Sequence, residues 1–383
     1  MTRARDVVVV GAGLAGLEVA RRLASRGLDV VLADRRRDLG RSVRTTGIFV
    51  RRTVEEFPLP ADTLGPALRR VTLWSPRRRP LRLESRRNEF WIGRMAPLYR
   101  RRLDECTREG VEWRPGAVYL GSEPEGCESV VRLSGSAPLR ARFLVGADGA
   151  RSEVAVDLGL DTNREWLVGV EDVFECAPLD DLPGLHCFLD PTVAPGYIAW
   201  LAWDGGEAHV GTAGYPGRFE PTAALEAFLA SRPAGLDAAR ARRRERRGGR
   251  IPVGGVLKRI VCPRGLLVGD AAGAVSPLTA GGLDPCLRLS RLAGEVTARH
   301  LAGDTSALGD YAGHRFRARF TSRLLMRRAI AAVRAPWLAE AACAGLRSWP
   351  FAALARHVFF GEGSFPDSEP RATCVTEARS QLG

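Results

Sequence analysis

The sequence predicts an α/β fold: a parallel sheet flanked by helices, a second sheet that is antiparallel, and a helical C-terminal region. Three observations predict it. Residues 6–34 run strand, glycine-rich turn, helix and strand, a complete βαβ unit of roughly thirty residues. Residues 166–214 alternate in the manner of antiparallel strands. Residues 305–360 read as helices.

The elements follow in order. Asp6 to Val10 is a short apolar run, as expected of a parallel strand buried on both faces. Gly11-Ala-Gly13-Leu14-Ala15-Gly16 follows at once, then a helical stretch to about Arg26 with Leu17, Ala20 and Leu23 on one face. Gly27 ends it, and Leu28 to Ala33 is a second strand closing on Asp34. From Thr45 to Asn88, short polar and Pro-rich pieces read as loops and hairpins inserted into the sheet. A helix from about Arg94 to Glu109 precedes strands at 111–113, 117–120, 130–133 and 141–145, the last running into Asp148-Gly149. Residues 222–247 read as helical and charged, 256–262 and 265–268 as strands, and Leu283 to Leu301 as a long helix. The expected organisation is a discontinuous nucleotide-binding domain, 1–165 and 250–304, with an insertion at about 45–92. Residues 166–249 form the second, substrate-binding sheet domain with help from 45–92, residues 305–360 a helical region, and residues 361–383 a loose tail.

Composition narrows the class. The chain has 383 residues, 45% of them hydrophobic, enough for a large core. No stretch approaches the ~18 to 20 apolar residues of a membrane span, and no apolar leader precedes the first strand, so a cytoplasmic enzyme is expected. The net charge is +13, but it is scattered, as at Arg35 to Arg37, Arg77 to Arg79 and Arg242 to Arg244. It is not interleaved with aromatics as in a strand-binding groove, which argues against nucleic acid. Lys258, the single lysine, is expected on a strand surface. The eight cysteines never form a C-x-x-C pair and the five histidines are dispersed, so no metal site is expected.

Three motifs carry chemistry. In the first, Gly11 permits the turn from strand to helix, Gly13 lets backbone amides approach a pyrophosphate, and Gly16 lets helix and strand pack. Asp34 stands where a carboxylate accepts from ribose hydroxyls. This register predicts dinucleotide binding without separating FAD from NAD. The second motif is a strand ending in Ala-Asp148-Gly149, on its own an ordinary turn. The third runs Gly269-Asp270-Ala271-Ala272-Gly273, then Pro277, then Gly281-Gly282-Leu283 and a helix. A helix N-terminus there can stabilise negative charge on a reduced heteroaromatic ring.

This ordered set resembles the para-hydroxybenzoate hydroxylase superfamily of FAD-dependent oxidoreductases, and within it the geranylgeranyl reductase branch. Residues 269–282 are similar to that branch's flavin loop, where hydroxylases tend to carry His after Asp-Ala-Ala, and Pro195-Gly196-Tyr197-Ile198-Ala199-Trp200 is similar to its Pro-Gly-x-Tyr-x-Trp strand. The resemblance covers about residues 5–360. It implies an FAD-binding Rossmann-like, three-layer ββα domain with an antiparallel-sheet substrate domain and a helical C-terminal region. It also implies that Gly11, Gly13, Leu14, Ala15, Gly16, Asp34 and Arg35 hold the AMP half of FAD. Arg41 and Arg94 would contact the cofactor and Val118 would present backbone to adenine. Asp148 and Gly149 would lie near the pyrophosphate, in a motif these families also link to nicotinamide nucleotide use. Gly269, Asp270, Pro277, Gly281, Gly282 and Leu283 would surround the ribityl chain and ring.

The implied activity is reduction of C=C bonds in an isoprenoid-like or other apolar small molecule, with electrons from NAD(P)H or a reduced carrier. An FAD-dependent monooxygenase and a flavoprotein with non-redox flavin are the alternatives. Reductases of the branch often carry a Cys in the loop after the second strand; here 40–47 has none. Reduction needs a proton as well as hydride, so Thr45, Thr46 or Arg44 would organise a water. Tyr197 and Trp200 are candidate pocket walls. Trp200 and Trp203 do not complete a halogenase Trp-x-Trp-x-Ile-Pro motif. Arg315, Arg319, Arg323 and Arg327, at spacing four beside Phe316 and Phe320, predict a cationic stripe that could meet anionic lipid or a carrier protein.

Overall fold

The computed structural model describes residues 3–361, apart from 42, 176–178, 180–181 and 349–350; the tail expected at 361–383 lies, except for Gly361, outside the described residues. The core of the first layer is an eight-stranded sheet. Its main path runs Val261–Cys262, Gly265–Leu267, Leu139–Gly146, Arg5–Val10, Val30–Asp34 and Glu112–Pro115 in space. Arg5–Val10 pairs in parallel with both Val30–Asp34 and Leu139–Gly146. Val7, Val8 and Val9 have no exposed surface, which is why this run is β-branched on both faces instead of alternating. Tyr119–Glu125 and Glu128–Leu133 form a hairpin added to Leu139–Gly146.

Leu14–Ala24 and Leu283–Leu301 pack against this sheet and against each other. The second helix begins and ends at the expected residues.

The second sheet has seven strands, in the order Arg242–Pro252, Trp166–Glu175, Glu207–Gly214, Ala199–Trp203, Gly184–Phe188, Arg70–Trp74 and Pro80–Glu84. The hairpin Arg70–Glu84 from the inserted segment thus joins it, through a parallel pairing with Gly184–Phe188. A small three-stranded sheet, Ile48–Val50, Phe90–Gly93 and Leu64–Leu68, comes from the same inserted segment, on either side of that hairpin in the chain.

The reading of 222–247 as helical holds only for Pro221–Ala230; Arg242–Pro252 is a strand. Its arginines have no helical apolar stripe to bury, and Gly248-Gly249 disfavours a helix. Across the ladder, Arg246 stands opposite Asp172 and Arg247 opposite Glu171. Opposite charges directly across a sheet favour the pairing, and Arg246 grips Asp172 at 2.7 and 2.9 Å.

Two smaller differences concern irregular backbone. Only Val261–Cys262 of the strand expected at 256–262 is extended, and Lys258 sits in an exposed bend before it. The stretch that carries the arginines at spacing four is broken into Gly313–Arg317, a 3₁₀ turn at Ala318–Phe320, and Thr321–Ala332. Two further helices, Pro336–Leu346 and Phe351–Phe360, complete the C-terminal region.

Candidate active site

The glycine-rich turn is built as its spacing requires. Gly11 has φ +102°, and a Cβ there would fall 2.3 Å from the Ala147 carbonyl oxygen. A Cβ on Gly16 would lie 1.9 Å from the Gly11 carbonyl oxygen, so only glycine lets the helix approach. Gly13 instead faces open space, where a phosphate can reach the backbone amides at the helix start. Asp34 accepts from the Ala12 amide at 2.7 Å and from the Arg36 amide and guanidinium. Burial pushes this carboxyl up, but those bonds to Arg36 and Ala12 outweigh it and hold it below the ordinary range. Asp34 therefore locks the turn, and its partner Arg36 was not singled out by sequence.

A cavity of about 820 Å³ opens from this turn. Gly13, Leu14 and Ala15 line one end, Gly269, Asp270, Gly281, Gly282 and Leu283 the adjoining wall, and Gly149 the edge between them. Gly269, at φ +58°, would bring a Cβ within 2.9 Å of the Ala15 Cβ, so the two motifs touch. The Asp270 carboxylate faces the cavity with no hydrogen-bond partner among the described residues. Enclosure by the surrounding protein pushes it up to about 6. An acid without a partner, at the entry to a nineteen-residue helix that starts at Leu283, suits a ligand that brings hydroxyls.

Asp148 behaves differently. Its carboxylate accepts from the Ser152 hydroxyl at 2.6 Å and from the Glu153 and Val154 amides. It is spent on the first two amides of the short helix Glu153–Asp157 and on the hydroxyl of Ser152, the residue that caps it.

Other expected contacts are not brought together. The Arg94 guanidinium turns to the second sheet, meeting Asp204 at 2.7 Å and Glu207 at 2.9 Å. Arg41 is a surface residue pairing with Asp38, and Arg35 is exposed. The Val118 amide donates to the Ser134 hydroxyl and its carbonyl accepts from the Ser134 amide, so its N–H is taken before any adenine arrives. Pro277 packs beside Gly255 instead of lining the cavity. Arg44 does line it, with no ion pair to a described residue; burial lowers its pKa, and the nearby Arg35 and Arg36 add to this. An unpaired guanidinium near the glycine turn suits a pyrophosphate.

The opposite wall comes from the second sheet. Thr45, Thr46, Tyr197 and Trp200 all line the cavity. The Tyr197 hydroxyl donates to the Thr279 carbonyl at 2.7 Å, tying this wall to the loop that carries Gly281. Thr46 and the Trp200 indole both donate to one oxygen of Glu171, at 2.5 and 2.9 Å. Glu171 is buried, and its other oxygen meets His209 Nδ1 at 3.3 Å; His209 Nε2 meets Glu207 at 3.3 Å. Arg247 stands 3.6 Å from Glu171 and donates to the Thr45 carbonyl at 2.9 Å. Trp200 reaches Glu171 because position 211 is glycine: a Cβ there would lie 2.2 Å from the indole. None of Glu171, His209 and Arg247 stood out in the sequence.

Burial works against charge on both Glu171 and His209, yet each outweighs it for the other. Their hydrogen bond, with Thr46 and Arg247, brings Glu171 down, and the two carboxylates bring His209 up. Glu207 falls to about 2: burial raises it, and His209, Arg94 and Arg244 outweigh that.

These residues fit FAD. The open space at Gly13, the unpartnered Asp270 carboxylate, the uncompensated Arg44 and the helix start at Leu283 are each completed by a phosphate, a hydroxyl or an electron-rich ring. Among the described residues no cluster could hold a metal ion.

Comparison with known proteins agrees. A digeranylgeranylglycerophospholipid reductase from Haloferax volcanii is 30% identical over 339 residues, covering 80% of this chain and 80% of that protein. One from Methanococcoides burtonii is 27% identical over 321 residues, covering 78% and 76%. A geranylgeranyl bacteriochlorophyll reductase-like protein from Thermoplasma acidophilum shares the fold, with a TM-score of 0.81 at 20% identity over 94% of this chain and 97% of that one. Residues 6–298, from the first strand into the helix that starts at Leu283, match the FAD dependent oxidoreductase family, and the chain belongs to it.

Proposed function

We propose that this oxidoreductase reduces carbon–carbon double bonds of an isoprenoid-like or similarly apolar small molecule. The observation that carries this reading is the continuity of the cavity. It runs from the glycine turn and Asp270 to a wall of Met326, Ile330, Val333, Leu346, Leu354 and Phe359 on the C-terminal helices. Such a wall retains a hydrocarbon through apolar burial and gives a polar substrate nothing to bond. The reductases to which this chain is similar point the same way.

Bound and reduced, FAD supplies the hydride; NAD(P)H or a small reduced carrier is the donor of this proposal. The chain's own residues exclude water, hold the substrate against the flavin loop, and place the Thr46 hydroxyl inside the cavity. The His of hydroxylases has no room here: Gly273 is at φ +68°, and a Cβ would lie 2.6 Å from the Gly255 carbonyl oxygen.

Substrate access from a membrane surface forms part of the proposal. Among the described residues no helix is long and apolar enough to cross a membrane. Leu325, Trp337, Leu338, Phe351 and Leu354 are nevertheless exposed, all on the three helices over the cavity. The cationic stripe itself is divided. Arg315 faces solvent beside Asp310, Arg323 bonds the Ser276 hydroxyl, Arg327 is buried, and the Arg319 side chain lies outside the described residues. Arg328 and Arg334 remain exposed beside the apolar patch.

Anaerobic incubation of the reduced enzyme with a prenyl-chain lipid, followed by mass spectrometry, tests the reaction. A gain of two hydrogens per bond is expected. A product that carries oxygen and forms only in air would overturn it in favour of the monooxygenase.

A further inference from the structure

We propose that Glu207, His209 and Glu171 form the path by which protons enter the cavity, delivering them to the Thr46 hydroxyl. The inference rests on the double-bond reduction proposed above, because that reaction consumes one proton per bond. In it the π bond breaks. One C–H bond forms from a hydride carrying both electrons from the reduced flavin, which is thereby oxidised. The second C–H bond forms from a proton, and no cysteine in the 40–47 loop can give it.

The geometry is that of a continuous chain with one end in the cavity and the other at the surface. Thr46 lines the cavity and bonds one oxygen of Glu171. The other Glu171 oxygen meets His209 Nδ1, and His209 Nε2 meets one oxygen of Glu207. The other Glu207 oxygen accepts from Arg244, whose side chain is half exposed. Each carboxylate is thus bridged through both of its oxygens, and the imidazole through both of its nitrogens. When the Thr46 hydroxyl, or a water held on it, gives its proton to the substrate carbon, the proton on His209 Nδ1 moves through Glu171 to restore it. That leaves His209 with its remaining proton on Nε2, so the ring turns over, bringing this N–H to Glu171 and the bare nitrogen to Glu207, where it takes up a proton from solvent. The cycle leaves every group in its starting state and imports one proton.

The strand register explains why these residues meet. Glu171 lies on Trp166–Glu175 and His209 on the neighbouring strand, where His209 pairs with Val173, two residues along. Residues two apart share a face of a sheet, so both side chains point to the side on which the Thr46 loop packs. The charges facing His209 are the carboxylates of Glu171 and Glu207, with Arg247 beside the first and Arg94 and Arg244 on the second. Asp204 holds Arg94 in turn. This surrounding favours the imidazolium, the form that can give a proton inward. A purely structural cluster would need neither a hydroxyl in the cavity nor an exposed far end.

Two variants, His209→Gln and Glu207→Gln, and two readouts test the path. Product formation in a single anaerobic turnover is expected to fall by roughly 10²-fold in His209→Gln with KM little changed. The dependence of that rate on pH and on deuterated solvent should flatten. In the FAD-free protein, ¹⁵N NMR of the His209 ring should show slower N–H exchange with solvent in Glu207→Gln than in the parent chain. Unchanged turnover and pH dependence in His209→Gln, or unchanged ring exchange in Glu207→Gln, would overturn the path. Failure of the reduction reading is a different result: no dihydro product from the parent chain, with the ring-exchange measurement still deciding the path.

Discussion

Arg327 sits over the Tyr197 ring. Its guanidinium carbon is 4.8 Å from the ring centroid, and the same group stands 5.1 Å from the Tyr215 ring and bonds that hydroxyl at 3.3 Å. Because Tyr197 also reaches the Thr279 carbonyl, this stack fastens the C-terminal helices to the flavin loop. Arg327→Met should loosen the apolar wall, raising KM by up to about tenfold, ~1.4 kcal/mol, with little change in FAD affinity. Steady-state kinetics and an FAD titration check this.

Asp270 and Asp148, both acids at strand ends, should part company on mutation. Asp270→Ala removes the unpartnered acceptor in the cavity and should weaken FAD binding by roughly tenfold to hundredfold, about 1.5 to 3 kcal/mol. Asp148→Ala instead removes the acceptor of the Glu153 and Val154 amides and of the Ser152 hydroxyl, and should lower the melting temperature more than the FAD affinity. Similar FAD affinities in both variants would refute the placement.

The same carboxylate makes the FAD-free protein pH-dependent. Its pKa rises from 3.8 in the unfolded chain to about 6 on folding, so the folded state holds the proton more tightly. Stability from this group is therefore lost as pH rises from about 4 to about 6, and the loss is complete above that. FAD-free Asp270→Asn should melt above the parent chain at pH 8, and the two should converge below pH 4. Thermal melts across that range give the sign directly.

Gly13→Ala and Gly16→Ala should fail in different ways. A methyl at 13 enters open space, so the protein should fold and melt normally while losing FAD. A methyl at 16 strikes the Gly11 carbonyl and should cost stability before cofactor is added.

The exposed patch on the C-terminal helices predicts sedimentation with anionic vesicles at low salt, reduced at high salt. Trp337→Ser with Phe351→Ser should leave the protein in the supernatant. If the parent chain also stays there, membrane access is refuted.

The βαβ unit and the helix at Leu283 were legible because each is specified locally, by glycine spacing and by apolar periodicity. Arg242–Pro252 was not. Nothing in its own residues alternates between apolar and polar, and its extended state depends on Asp172 and Glu171 across the ladder. The Thr46–Glu171–His209 cluster was hidden for a related reason. Its members lie 125 and 38 residues apart, joined only by sheet register and by the packing of a loop on that sheet. Arg323 and Arg327 read as part of a cationic stripe for lipid or a carrier protein, since spacing four places them on one face without saying which face the cavity takes.

That arginine-rich strand also ends the seven-stranded sheet. An outermost strand offers unpaired amides and carbonyls to any other extended chain. Here a second copy approaching in register would bring Arg242, Arg243 and Arg244 beside their own counterparts, and of the carboxylates that pair with them Asp172 is already shared with Arg246 and Glu207 with Arg94. Growth of the sheet from one molecule into the next is thereby opposed by repulsion at the last strand, and least strongly at high ionic strength.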